Sequence, residues 1–288
     1  PRLAQNYSMS QSLPYRLGLP AWAFAGWRGR YFTDRPSQLA SYARVFNAVE
    51  GNTTFYRTPD AATVTRWREA VTATDFRFCF KLPRTVTHER TPDLAELDRF
   101  LKAIAPMEQH LGPLLLQFPA SVGPQQLALL DTLFSRIPGE WRGVVEVRHR
   151  GFFDDPEPLA TLLERYGFGR AMLDSRPLYR GDTSHPEVAA ALHEKPDLPL
   201  LPEVYNSLAF VRLVLHPNPE FNDLYIAEWA KRVAAWLEAG HETFMTIHCP
   251  NNLHCPPFAL QFNEALRIRQ AAVPPLPAWQ VPQQGSLI

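Results

Sequence analysis

Short runs rich in β-branched and aromatic residues recur about every 30 residues along the chain. They are YRLGLP from Tyr15, NAVEGNTT from Asn47, FRFCFKLP from Phe76, GPLLLQFPA from Gly112, GVVEVRH from Gly143, GRAMLDSR from Gly169, LAFVRLVLHP from Leu208 and ETFMTIHCP from Glu242. Between them SQLASYARVF, DLAELDRFLKAI, PQQLALLDTLFSRI, PLATLLERYGF and YIAEWAKRVAAWLEAG space apolar residues three and four apart, as one buried helix face requires. Pro or Gly stands at most junctions. Eight strands alternating with helices predict an α/β chain folded as a single (β/α)8 TIM barrel. An open doubly wound sheet would more often carry a glycine-rich phosphate loop after its first strand, and neither GxGxxG nor GxxxxGK occurs. The sixth connection alone breaks the rhythm. RPLYRGDTSHPEVAAALHEKPDLPLLPEVYNS is long and proline-rich, which predicts a lid or an extended loop over one end.

In such a barrel chemistry sits at the carboxyl ends of the strands. The polar residues collected there are Glu50 and Asn52, Lys81, Gln117, Glu146 and Arg148, Asp174 and Arg176, Arg212 and His216, and His248. Residues two apart share a strand face, so Glu50 goes with Asn52, Glu146 with Arg148, and Asp174 with Arg176. In VVEVRHRGFF, Val145 and Val147 then face the helices and Glu146 faces the barrel mouth. One such pair is as readily a structural salt bridge as a catalytic one; convergence from most of the strands marks a site.

Composition narrows the partners. The 288 residues carry 29 basic and 29 acidic side chains, which argues against bulk attraction to nucleic acid or an anionic membrane. No apolar run approaches the roughly 20 residues that span a bilayer. Cys79, Cys249 and Cys255 cannot all pair within one chain and read as reduced thiols of a cytoplasmic protein. Residues 1–14 are expected to be a tail, its start an added remnant; 15–272 the barrel; and 273–288 a proline-rich tail.

FNAVEGNTTFYRTP, FRFCFKLPRTVTHE, LGPLLLQFPASVGP, VVEVRHRGFF and AMLDSRP, in that order, resemble the YecE-like family of TIM-barrel proteins of unknown function. The resemblance runs from Tyr15 to the tail. It implies the barrel and a pocket of Glu50, Asn52, Thr54, Tyr56, Lys81, His88, Gln117, Glu146, Arg148, His149 and Asp174. It implies no reaction. Roles for His216 and His248 rest on strand position alone, because the seventh and eighth strands depart from the usual family pattern.

Three readings follow. In the first, an enzyme or binder takes an anionic or sugar-phosphate-like small molecule. Lys81 and Arg148 hold the anion, Glu146 and Asp174 supply acid–base chemistry, and Glu50 completes the catalytic set. Asn52, Thr54, Tyr56, His88, Gln117, His149, Arg176 and Arg212 line the ligand. In the second, Glu146, Asp174, His216 and His248 hold a divalent metal in a hydrolase or isomerase. In the third, the barrel binds without chemistry. The final QGSLI resembles the motif by which bacterial proteins dock on the DNA polymerase sliding clamp, with Gln284 as a polar latch and Leu287 and Ile288 as apolar anchors. The competing expectation is that Leu287 and Ile288 tuck back onto the barrel; clamp docking would favour a DNA substrate and the metal reading.

Overall fold

The computed structural model describes residues 13–279. Its eight strands are β1 Tyr15–Leu19, β2 Ala48–Gly51, β3 Arg77–Phe80, β4 Leu114–Gln117, β5 Gly143–Glu146, β6 Gly169–Asp174, β7 Leu208–Val214 and β8 Glu242–His248. All eight expected runs are strands, and their pairings are parallel. The sheet runs β3-β2-β1-β8-β7-β6-β5-β4. Parallel bridges Phe78↔Leu111 and Lys81↔Leu115 bring its two ends together, making a nearly closed TIM-like barrel.

Two-residue alternation sorts each strand between two cores. Ala48, Cys79, Leu115, Val144, Ala171, Leu208, Phe210 and Phe244 fill the barrel interior as one buried cluster. Val145, Val147, Met172, Val211 and Ile247 belong instead to the larger core between strands and helices. On β1 a side chain at Gly18 would lie 2.5 Å from the Ala48 carbonyl oxygen, so only glycine lets β1 and β2 approach there.

Four expected helices form as Leu94–Ile104, Leu127–Phe134, Glu157–Tyr166 and Asp223–Glu238, and the stretch from Ser37 gives the short Gln38–Tyr42. Two longer helices had no expectation. Ala61–Val71 starts on Asp60, whose carboxylate accepts from the Thr63 amide at 2.8 Å. It buries only Val64 and Val71, so its apolar stripe is too sparse to read. Cys255–Arg267 begins soon after the end of β8 and buries Phe258, Ala259, Phe262 and Leu266.

The carboxyl-terminal segment does not leave the barrel at 273. Val273 is buried, the Asn263 amide donates to Pro274 O at 3.0 Å, and Trp279 packs edge-on against Tyr31 and Phe32. Gln284, Leu287 and Ile288 lie outside the described residues. Among the described residues no helix is long and apolar enough to cross a membrane. The three cysteines are buried and unpaired.

Candidate functional site

The strand ends converge on Arg212. Strand alternation turns it inward from β7, where it is wholly enclosed between two carboxylates. Its Nε and Nη2 donate to Glu50 of β2 at 2.9 and 2.8 Å, and its Nη1 donates to Glu146 of β5. Burial alone would raise the pKa of Glu50; Arg212 and His248 outweigh it and hold the carboxyl well below its usual range. Burial likewise opposes ionisation of Glu146, and Arg212 and Arg148 bring its pKa down to about 2. Both are therefore ionised at neutral pH, and neither has a proton to give.

Neighbours complete this inner network. Asn52 Nδ2 donates to Glu50 Oε1 at 2.8 Å and lies 3.0 Å from Pro20 O. His248, inward on β8, places Nε2 at 3.0 Å from Glu50 Oε2. Burial lowers its pKa to about 4 despite Glu50, so it is neutral and Nε2 carries the hydrogen that the carboxylate accepts. Arg148 Nε donates to Glu146 Oε1 at 3.0 Å, and its Nη1 reaches Glu194 O at 3.1 Å.

Lys81 differs from all of these. It stands at the end of β3 and is 8% exposed. Its Nζ lies 3.8 Å from the centre of the Phe55 ring, and it has no ion pair or side-chain hydrogen bond among the described residues. Burial, then Arg212, lower its pKa to about 7. Phe55 also walls an open groove of about 590 Å³ that reaches Arg57, Arg84 and Arg99. His88 packs on the same ring, and burial with Lys81 and Arg148 drops its pKa to about 4. Gln117, buried at the end of β4, has no side-chain partner among the described residues.

The sixth connection lies over the mouth, as a lid would. Tyr179 OH sits 2.9 Å from Lys195 O, Ser175 Oγ donates to Pro196 O at 2.7 Å, and Arg148 holds Glu194. Beneath Leu198–Leu201, against Glu146 and Leu173, a cavity of about 10 Å³ remains, room for about one water. Lys195 is brought down into the network. Burial and then Arg212 lower its pKa to about 8, and it too has no ion pair among the described residues. Sequence reading missed Lys195. The available signal was scarcity: of the 29 basic residues only Lys81, Lys102, Lys195 and Lys231 are lysines.

Several expected site residues are elsewhere. Asp174 is not in the mouth. On β6 Ala171 is in the interior cluster and alternation places Leu173 on its face, so Asp174 faces the helix layer, where it accepts from Trp229 Nε1 at 2.7 Å and Arg176 Nε at 2.9 Å. Arg176 goes with it, to Glu228 of the Asp223–Glu238 helix. His216 accepts from the Asn218 amide at Nδ1, and its Nε2 lies 3.1 Å from Asp182 O, so both ring nitrogens are engaged outside the mouth. The set Glu146, Asp174, His216 and His248 is thus not assembled, and no three His, Cys, Asp or Glu among the described residues could hold a metal. His149 caps the Gly151–Asp154 turn through Nδ1. The Thr54 hydroxyl lies 2.9 and 2.7 Å from the Gly51 and Lys81 carbonyl oxygens, a structural task. Tyr56 is 80% exposed, outside the mouth.

Comparison with known proteins agrees with the fold and leaves the chemistry open. The family model described as "Protein of unknown function DUF72" matches residues 16–283. UPF0759 protein YecE of Escherichia coli K12 is 34% identical over 281 residues, covering 94% of this chain and 98% of that protein. A DUF72 family crystal structure from Thermotoga maritima superposes with a TM-score of 0.66 at 21% identity, over 88% of this chain and 99% of that one. One from Enterococcus faecalis superposes with the same TM-score at 20% identity, over 88% and 95%. The match spans the barrel from its first strand to its last helix, and the chain belongs to the DUF72 family.

Proposed function

We propose that the barrel mouth is an enzyme site for an anionic, sugar-phosphate-like small molecule, which Lys81 and Lys195 hold while supplying proton transfer. The observation that carries this reading is a pair of lysines, Lys81 buried and Lys195 half-buried, without carboxylate partners beside a salt-bridge network that is already complete. Arg212, Arg148, Lys81 and Lys195 face Glu50 and Glu146, so with both amines protonated the cluster holds two more positive charges than negative ones. An entering phosphate or carboxylate neutralises that excess in a site of low dielectric, where the interaction is strong. Lysines titrating near neutrality also suit general acid–base work. The paired groups Glu50, Glu146 and Arg212 are the rigid floor of this site, and Gln117 offers an uncommitted amide to the ligand. Three unpaired buried thiols favour a reducing, cytoplasmic location.

Calorimetry with glycerol 3-phosphate against glycerol tests the reading. Saturable binding of the phosphate ester alone, lost in the Lys81→Met/Lys195→Met double variant, is the expected result. No binding at millimolar concentration, or equal binding of both, overturns it.

A further inference from the structure

Resting on the anion-site reading above, we propose that Lys81 is a Schiff-base nucleophile and that the molecule taken at the mouth is an aldehyde or ketone bearing a phosphate or carboxylate.

Residue usage is the first support. The chain has 25 arginines and four lysines. Lys102 and Lys231 are exposed on helices, and the other two are at the mouth. For holding an anion, arginine offers the better fork and keeps its charge. Lysine alone can shed its proton and present a lone pair, so two lysines here point to chemistry that needs a neutral amine.

The second support is how Lys81 is held. Its amide donates to Gly51 O at 3.2 Å, its carbonyl oxygen lies 2.7 Å from the Thr54 hydroxyl, and it bridges to Leu115 of β4. The backbone is fixed from both sides, and the Phe55 face fixes Nζ. The third is what Arg212 does to the carboxylates. By binding Glu50 in two places and Glu146 in one, it takes up the acceptors that would otherwise clamp an ammonium at Lys81. With a pKa of about 7, a large share of Lys81 is the free amine at neutral pH.

The step balances without a redox partner. The Lys81 lone pair attacks the carbonyl carbon, and the C=O π pair moves to oxygen, which takes a proton from the Lys195 ammonium. Nitrogen loses a proton to neutral Lys195. A second transfer from Lys195 releases the former carbonyl oxygen as water and leaves a protonated imine on Nζ. Overall, amine, carbonyl and one proton become iminium and water. The iminium carries its charge where Glu50 and Glu146 attract it, and it draws electrons from the adjacent C–H or C–C bond of the substrate.

Borohydride trapping tests this. The intact protein is treated with pyruvate or with dihydroxyacetone phosphate, reduced with sodium borohydride, digested and mapped by mass spectrometry; Lys102 and Lys231 serve as internal controls. At least about tenfold more adduct on Lys81 than on either control is expected, as an activated amine requires. Lys81→Arg, with folding checked by its melting curve, is expected to lose the adduct; the wild-type map decides even if that variant does not fold. Adduct spread evenly over the four lysines, or concentrated on Lys195, overturns the assignment. Binding of glycerol 3-phosphate without any ketone adduct overturns the Schiff base and leaves the anion site standing. Absence of both removes both.

Discussion

Arg212 and Glu50 lie 162 residues apart in sequence and meet in a two-pronged ion pair across the barrel, at 2.9 and 2.8 Å. The same guanidinium holds Glu146, so one buried cation fixes two buried carboxylates and ties β2, β5 and β7 together. Charge buried this way gives little net stability while intact and costs much when one partner is removed.

Arg212→Met should therefore destabilise the chain by about 3–5 kcal/mol, since enclosed Glu50 loses its counter-ion and Glu146 keeps only Arg148. Adding Glu50→Gln and Glu146→Gln to the same variant should restore part of that loss. Urea unfolding measures both, and a loss below about 1 kcal/mol in the single variant would mean that water already reaches the pair.

Lys81 makes stability depend on pH at the alkaline side. Folded, it loses its proton near pH 7; the ordinary value is 10.5. Below about pH 7 both states are protonated and the folded state bears the full cost of a buried charge. Between about 7 and 10.5 the unfolded chain binds more protons, so this contribution to stability rises with pH, by at most about 1.4 kcal/mol per unit. Of its charged and titratable neighbours, Arg212, Glu146, Glu50 and His88 keep their charge states across that range, whereas Lys195, at about 8, titrates within it and is common to both proteins in the comparison. Wild type minus Lys81→Met, followed by urea unfolding from about pH 7.5 to about pH 9.5, should show this slope. A flat difference would show that Lys81 is solvated.

On the acid side the sign is reversed for the carboxylates. The stabilisation of Glu50 and Glu146 is complete above about pH 4.5 and is lost as pH falls towards 2. His248 and His88, each held neutral down to about 4 against 6.5 normally, add a loss between those values. Wild type should thus weaken progressively below about pH 6.5, and His248→Gln should make the fall between about 6.5 and 4 shallower in a pH titration of the melting temperature, with His88 supplying what remains. An unchanged slope would show that His248 is already charged in the folded state.

Asp174 belongs to the helix layer, so stability and chemistry should separate there. Asp174→Ala leaves the Trp229 indole without its acceptor and Arg176 with Glu228 alone, and should cost about 1–3 kcal/mol. Ketone trapping on Lys81 should be unaffected below the lowered melting temperature. Trapping lost in a variant that still unfolds cooperatively would return Asp174 to the site.

The lid segment is held by few bonds. Ser175→Ala and Tyr179→Phe each remove one anchor, to Pro196 and to Lys195, at about 1 kcal/mol apiece. Hydrogen exchange over 192–201 should quicken in both variants while the strands stay protected. Equal exchange in variant and wild type would show that packing of Leu198 and Leu200, and not these hydroxyls, holds the lid down.

The sequence by itself determined the barrel, because each of its eight strands is a local run of β-forming residues and most of its longer helices carry a dense apolar stripe. It also determined which face of β5 bears charge, since Val145 and Val147 alternate with Glu146 and alternation is a property of the backbone alone. It did not decide Asp174. Both charged residues of β6, Arg170 and Asp174, lie on one face, which read as the mouth, and only the closing of the barrel put Ala171 and its face inside and Asp174 outside. Nor did it decide Lys195, which reaches the mouth from a loop whose path is set by the Tyr179, Ser175 and Arg148 contacts and not by any period in the chain. The titration of both lysines is a tertiary property for the same reason. It arises from enclosure and from the charge of Arg212, which stands 131 residues from Lys81 and 17 from Lys195 along the chain and meets them only at the mouth.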